Sequence, residues 1–174
     1  PNRKTTTTSI IEWRFVANPV AGAGGGSPFV PFVPYPNADK ARQPRSFDDF
    51  EGELTRRNMQ LEKDGHTRVG MPEFWAARLY SGPMYLKYNA VLRGLQFPDN
   101  EHLVEEYQRL CKGNMHTTTL HAVNSAIIKL SKLTEATKVY RGVWGGVLPE
   151  VCRTPNEYGV RGGVEGGFMS TTTD

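Results

Sequence analysis

The sequence has few cysteines and lacks a long hydrophobic run. No stretch of about 18 apolar residues occurs in it, so no membrane-spanning helix is expected. Two cysteines, Cys111 and Cys152, are too few for a disulfide framework, and we expect both to be free thiols of a reducing compartment. No secretory signal is predicted at the start, because Glu12 and Arg14 interrupt its one apolar stretch. These absences favour a cytoplasmic protein.

The sequence also lacks a strong excess of charge of one sign, and it lacks the common catalytic motifs. The net charge is only +3, and the basic residues form no block, so we predict no nucleic-acid partner. The 4 histidines show no metal-ligand spacing, with each other or with the cysteines, and no metal is expected. The chain contains neither Gly-Lys-Ser/Thr nor Gly-x-Ser-x-Gly. A P-loop nucleotidase and a serine hydrolase of the elbow type are therefore not indicated.

Residues 1–45 are predicted to form a flexible tail or linker. A glycine run at 22–26 is followed by four prolines interspersed with aromatic residues at 28–36, a pattern that opposes both helix and sheet. The aromatic residues are expected to dock on the chain's own domain or, alternatively, on a partner. Both ends look cut, since the chain starts at Pro1 and stops at Asp174 after a predicted strand. We therefore treat it as a possible fragment.

Residues 46–174 are predicted to form one α+β domain, helical over 46–136. The five predicted helices cover 47–61 with Ser46 as N-cap, 72–80, 84–93 ended by Gly94, 99 or 100 to about 113, and about 118–133. The last should bury a stripe formed by Leu120, Val123, Ile127 and Leu130. Residues 137–174 should begin a β core, with strands at 138–144 and 167–172.

Arg141 is the first candidate binding residue. On a strand it shares one face with Val139 and Val143, where an arginine is unexpected. If that face lines a cleft, a diphosphate would suit the planar guanidinium, and Gly142 would let a flat ligand approach the backbone. The alternative is an arginine that reaches solvent from a barely buried strand or pairs with a carboxylate.

Ser170, Thr171 and Thr172 are the second candidate group. Hydroxyl groups on a strand can orient a neighbouring carboxylate by hydrogen bonding. The alternative is simple β-propensity, because threonine is common in strands.

Arg141 on one strand, followed by Ser170-Thr171-Thr172 on the next, resembles the R-S-E class of mono-ADP-ribosyltransferases, which carry Arg, Ser-Thr-Ser and Glu-x-Glu on three strands. The resemblance extends over residues 74–174 and is strongest with the arginine-specific branch, NAD(P)+–protein-arginine ADP-ribosyltransferase. Its context residues are Tyr80 to Tyr85, Asn89, Leu92, Arg93, Asn124, Leu130 and Gly163 to Phe168. No Glu-x-Glu follows Ser170, and Glu51-Gly52-Glu53 lies upstream in a helical segment.

The resemblance implies the ADP-ribosyltransferase fold and NAD+ as substrate, with no metal. Arg141 would then hold the diphosphate, the Gly142 backbone would seat the nicotinamide amide, and Ser170 would bind NAD+ and orient the glutamate of the missing motif. Thr171 would support the strand or contact the ribose. The partner would be an acceptor protein with an exposed arginine. Two alternatives stay open: an inactive NAD+-binding or protein-interaction module without the glutamate, and an unrelated α+β interaction domain.

Overall fold

The computed structural model describes residue 16 and residues 46–82, 84–142 and 150–173. These residues form five α-helices: α1 Phe47–Lys63, α2 Met71–Tyr80, α3 Tyr85–Gln96, α4 Glu101–Cys111 and α5 Thr117–Leu130. Two short 3-10 helices follow, Ser131–Leu133 and Glu150–Cys152. None of the helices described is both long and apolar enough to cross a membrane. The predicted tail lies outside these residues except for Val16.

The N-terminal caps of α1 and α4 confirm the sequence prediction. The Ser46 hydroxyl accepts from the Asp49 N–H at 3.1 Å, and the Asp49 carboxylate accepts from the Ser46 N–H at 3.1 Å. This reciprocal pair satisfies two amides that have no partner within the helix. At α4, the Asn100 side chain accepts from the Leu103 N–H at 3.2 Å, so Asn100 is the cap rather than Asp99.

The predicted end of α3 at Gly94 is wrong, because the helix continues to Gln96. A Cβ at Gly94 would lie 2.9 Å from the Tyr107 Cβ and 3.2 Å from the Leu103 carbonyl oxygen. The glycine therefore permits the close approach of α3 to α4 and does not end the helix. Packing between two helices outweighs the low helix propensity of glycine here.

Three clusters of buried side chains hold the helices together. Their members are Val16, Phe50, Leu79, Met84 and Tyr88 in the first, Ala90, Val91, Tyr107, Leu110 and Cys111 in the second, and Leu54, Leu61 and Val69 in the third. α3 packs mainly on α4, and α2 packs mainly on α5. Val123 of the predicted stripe is buried as expected, but Ile127 is 46% exposed, so that part of the prediction is wrong. α5 also ends at Leu130 and continues to Leu133 as a 3-10 helix.

A half-buried carboxylate links α2 to α5. Glu73 accepts from Lys129 Nζ at 2.7 and 2.8 Å, from the Ser125 hydroxyl, and from the Gly70 N–H at 2.6 Å. Desolvation raises the pKa of Glu73, but these hydrogen bonds together outweigh it and the pKa lies below its ordinary value. Glu73 therefore caps α2 and anchors it to α5.

The predicted α+β class with a β core is wrong for the described residues, which are helical and contain no strand. Tyr140 and Thr172 form an isolated antiparallel bridge, with N–H to oxygen distances of 2.7 and 2.9 Å. The predicted strands do not extend from it as a ladder. Phe168 explains part of this, because its N–H and its carbonyl bond to the Asn89 side chain rather than to a neighbouring strand. High β-propensity does not form a strand unless the backbone finds a strand partner.

Candidate functional site

A cleft of about 460 Å³ lies between α3 and the two backbone segments joined by the Tyr140–Thr172 bridge. Its size is within the range of small-molecule sites. α3 contributes one wall and residues 140–142 and 168–172 contribute the other. The lining residues are Tyr85, Leu86, Asn89 and Arg93 of α3, Glu106 of α4, and Tyr140, Arg141, Gly142, Phe168, Ser170, Thr171 and Thr172.

Asn89 positions the backbone that carries the hydroxyl residues. Its side-chain oxygen accepts from the Phe168 N–H at 2.8 Å, and its amide nitrogen donates to the Phe168 carbonyl at 3.4 Å. The segment lies so close to α3 that a Cβ at Gly167 would be 2.8 Å from the Asn89 side-chain oxygen. Only glycine fits there without a shift, which explains the glycine directly before Phe168.

Tyr80 at the end of α2 contacts the same segment. Its hydroxyl donates to the Phe168 carbonyl at 3.0 Å and lies 3.0 Å from the Ser170 hydroxyl. Since a phenol has one proton, Ser170 donates to Tyr80 in this arrangement. The rings of Tyr80 and Phe168 also meet edge to face, with centroids 5.3 Å apart. Ser170 is thus held at the cleft by a side chain from the helical region.

Arg141 enters the cleft with its guanidinium bonded to a carboxylate. Its Nη2 lies 3.3 Å from Glu165 Oε2. Arg93 binds the same carboxylate through Nε at 2.9 Å and Nη2 at 3.0 Å. Two cations therefore share one anion, and the three groups carry a net charge of +1. Glu106 also lines the cleft and acts on Arg93, so the feature that suits an anionic ligand such as a phosphate is the planar guanidinium donors rather than an excess of positive charge.

The Glu165 carboxylate is stabilised in its charged form. Hydrogen bonds from Arg93 lower its pKa below the ordinary value and outweigh the effect of desolvation. The Gly167 N–H donates to Oε1 at 2.9 Å, and the charge of Arg141 acts in the same direction. Arg141 therefore pairs with a carboxylate, as one of the two alternatives predicted, and it also lines the cleft.

The four site residues predicted from the sequence, Arg141, Gly142, Ser170 and Thr171, all line this one cleft. Apart from Gly142 and its two neighbours in the chain, no described atom lies within 4 Å of the position that a Cβ at Gly142 would occupy. The upstream Glu51-Gly52-Glu53 lies within α1, and none of its residues lines the cleft.

Asn89, Arg93 and Glu165 entered the sequence analysis only as context of the resemblance, without an assigned role, and Glu106 did not enter it. A signal did exist in α3, because Tyr85, Asn89 and Arg93 recur every four residues and so share one helical face. No comparable pattern marks Glu165, whose contacts join residues far apart in the sequence.

Both cysteines are free, as expected, and Cys111 is buried between α3 and α4. Burial raises the pKa of the Cys111 thiol to about 11, so it is not a reactive nucleophile. Within residues 46–82, 84–142 and 150–173, no three His, Cys, Asp or Glu side chains are grouped so that they could hold a metal ion. Comparison of the chain with family models, curated proteins and solved structures found no match.

Proposed function

We propose that the cleft binds NAD+ and that the protein transfers ADP-ribose to an arginine side chain of an acceptor protein, releasing nicotinamide. The observation that carries the proposal is the convergence of Arg141, Gly142, Ser170 and Thr171 on one cleft, although Arg141 and Ser170 are far apart in the sequence. The paired arginines supply guanidinium donors of the kind that bind a dinucleotide diphosphate.

Arg141 would bind the diphosphate through guanidinium donors that Glu165 does not occupy, since the group has five. The open space at Gly142 would let the nicotinamide amide approach the backbone. Thr171 would contact the adjacent ribose. In the reaction, the bond between ribose C1′ and the nicotinamide nitrogen breaks, and nicotinamide leaves as a neutral molecule with the electron pair. The acceptor nitrogen then bonds to C1′ after losing a proton to a base.

Transfer also requires a carboxylate near the ribose, to stabilise the developing positive charge. Ser170 would orient it by turning its hydroxyl proton away from Tyr80. Among the described residues, the carboxylate that lines the cleft is Glu106, whose charge acts on Arg93. Glu106 makes no hydrogen bond to Ser170, which favours a second candidate: an NAD+-binding module that does not catalyse transfer.

The free cysteines fit a cytoplasmic location, which we propose together with this activity. The acceptor would then be a cytoplasmic protein that exposes an arginine. Cell fractionation with an antibody against the chain tests the location independently of the chemistry.

Isothermal titration of the 174-residue chain with NAD+ tests the proposed binding. We expect saturable binding that Arg141→Ala weakens by about 10- to 100-fold, because charged hydrogen bonds contribute about 1.5–3 kcal/mol. Arg153→Ala is the matched control, since Arg153 pairs with Glu150 on an exposed turn and does not line the cleft. Absence of NAD+ binding by the unaltered chain would contradict the proposal.

Incubation with labelled NAD+ and an arginine-rich protein then separates the two candidates. Label on the acceptor that is lost with Arg141→Ala supports the transferase. NAD+ binding without label on any acceptor supports the binding module.

A further inference from the structure

Glu165 occupies an unusual position between two arginines of the cleft. Both Arg93 and Arg141 line the cleft, whereas Glu165, which both of them bind, is not among its lining residues. Its two oxygens accept from three guanidinium nitrogens and from the Gly167 N–H. Each oxygen of the carboxylate therefore accepts two hydrogen bonds.

The two arginines differ in how firmly their backbones are held. Arg93 lies within the last turn of α3, and two parallel hydrogen bonds fix its guanidinium on Glu165. Arg141 follows the isolated Tyr140–Thr172 bridge and belongs to no helix. Its side chain is 31% exposed, and its contact with Glu165, at 3.3 Å, is the longest of the three.

We infer that Glu165 is a positioning residue that transmits the fixed orientation of Arg93 on α3 to the guanidinium of Arg141, so that Arg141 faces the cleft before the dinucleotide binds. The inference rests on the proposed NAD+ site. Arginine side chains lose considerable rotamer freedom when they are held in one geometry. If Glu165 restricts Arg141 in the unliganded protein, part of that loss precedes binding, and the affinity for a diphosphate rises.

The charge arrangement supports positioning rather than inhibition. A carboxylate that competed with the ligand for Arg141 would have to be free to follow it, but Glu165 is held by two bonds from Arg93 and one from the Gly167 N–H. Because Glu106 also lines the cleft, the two arginines and two glutamates carry no net charge, and an anion would be held by guanidinium donors that Glu165 leaves available. Hydrogen bonds from Arg93 also lower the pKa of Glu165, which keeps it charged near neutral pH.

Glu165→Gln tests this role, because glutamine keeps the shape and one acceptor oxygen but removes the charge. In isothermal titration with NAD+ we expect the Kd of the 174-residue chain to rise about tenfold. Glu150→Gln is the matched control: it makes the same chemical change in the exposed Arg153 pair and should leave the Kd unchanged. Far-UV circular dichroism and the unliganded Tm should be close to those of the unaltered chain.

Two further measurements separate positioning from a structural role. Nitrogen-15 relaxation of the Arg141 Nε–H, without ligand, should show a more mobile guanidinium in Glu165→Gln. Glu165→Asp, which restores the charge, should recover part of the lost affinity for NAD+. If Glu165→Gln does not fold, the NAD+ affinity of Glu165→Asp is compared with that of the unaltered chain instead.

An unchanged or tighter NAD+ affinity of Glu165→Gln would overturn the inference, and a tighter one would mean that the carboxylate competes with the diphosphate. If Arg141→Ala weakens binding while Glu165→Gln does not, the inference fails and the NAD+ site stands. If the unaltered chain does not bind NAD+, the proposed function fails and the inference fails with it.

Discussion

The helical region up to Leu133 and the described residues after it are held by different kinds of contact. Every buried residue in the described parts of the chain lies at or before Ala126. The later residues are attached to the helices mainly by polar contacts, from Asn89 and Tyr80 to Phe168 and from Arg93 to Glu165. The hydrophobic core therefore stabilises the helices, whereas a small number of hydrogen bonds and ion pairs assemble the cleft.

The largest expected effect tests the core. Leu61 is fully buried beside Leu54 and Val69, so Leu61→Ala should lower the free energy of unfolding by about 2–5 kcal/mol. Met59→Ala on the same helix is the control and should change it little, since Met59 is 66% exposed. Urea unfolding followed by far-UV circular dichroism measures both. Equal effects of the two substitutions would contradict the core described here.

Substitution of two buried asparagines compares the stability of the helical region with that of the cleft segment. Asn58 bonds the N–H and carbonyl of Val69 at 2.8 and 2.9 Å within the helical region, and Asn89 bonds those of Phe168. Asn58→Ala should lower the global free energy of unfolding by about 1–3 kcal/mol, because it leaves buried backbone groups unpaired. Asn89→Ala should instead accelerate amide exchange at Phe168, whose N–H bonds Asn89, with a smaller effect on the global free energy of unfolding. If Asn89→Ala lowered the global free energy of unfolding more than Asn58→Ala does, the segment that contains Phe168 would belong to the core.

The attachment of the cleft segment should also depend on pH. The pKa of Glu165 is lower in the folded protein than its ordinary value of 4.5, so its charged form stabilises the attached state. That stabilisation is complete at a pH above the pKa of Glu165 in the unfolded chain. It is lost as the pH falls through the lower pKa of Glu165 in the folded protein. Protection of the Gly167 amide, measured by hydrogen exchange and corrected for the intrinsic rate, should decrease as the pH is lowered below 4.5. Glu165→Gln should remove this pH dependence; its persistence in that variant would assign it to another group.

The smallest effect concerns the two thiols and involves no change in stability. Cys111 is buried in the core, whereas Cys152 lies on the 3-10 turn after the helices and is partly exposed. Iodoacetamide should therefore label Cys152 in the native protein and Cys111 only after unfolding. Peptide mass spectrometry distinguishes the two sites, and rapid native labelling of Cys111 would contradict its burial.

The helices were largely predictable because caps and apolar spacing are local signals. Ser46 and Asn100 marked the starts of α1 and α4 correctly. Gly94 was wrongly predicted to end α3, because a glycine is needed there for the close contact with Tyr107 on α4. The exposure of Ile127 likewise depends on which face of α5 meets α2, and no local pattern contains that information.

The cleft was predictable only in part. Arg141, Gly142, Ser170 and Thr171 were singled out from the sequence, and they line one cleft. Their surroundings were expected to be two strands of a β core, but the backbone of Phe168 bonds to Asn89 instead. Contacts of this kind join residues about 80 positions apart, and the residue types alone do not indicate the pairing.

Hydrogen exchange of the 174-residue chain with and without saturating NAD+ tests whether the cleft assembled by polar contacts is a dinucleotide site. We expect slower exchange on NAD+ addition at residues 140–142 and 168–172, and unchanged exchange at the core amides of Leu54 and Leu61. Unchanged exchange in both cleft segments, or protection confined to other parts of the chain, would contradict it.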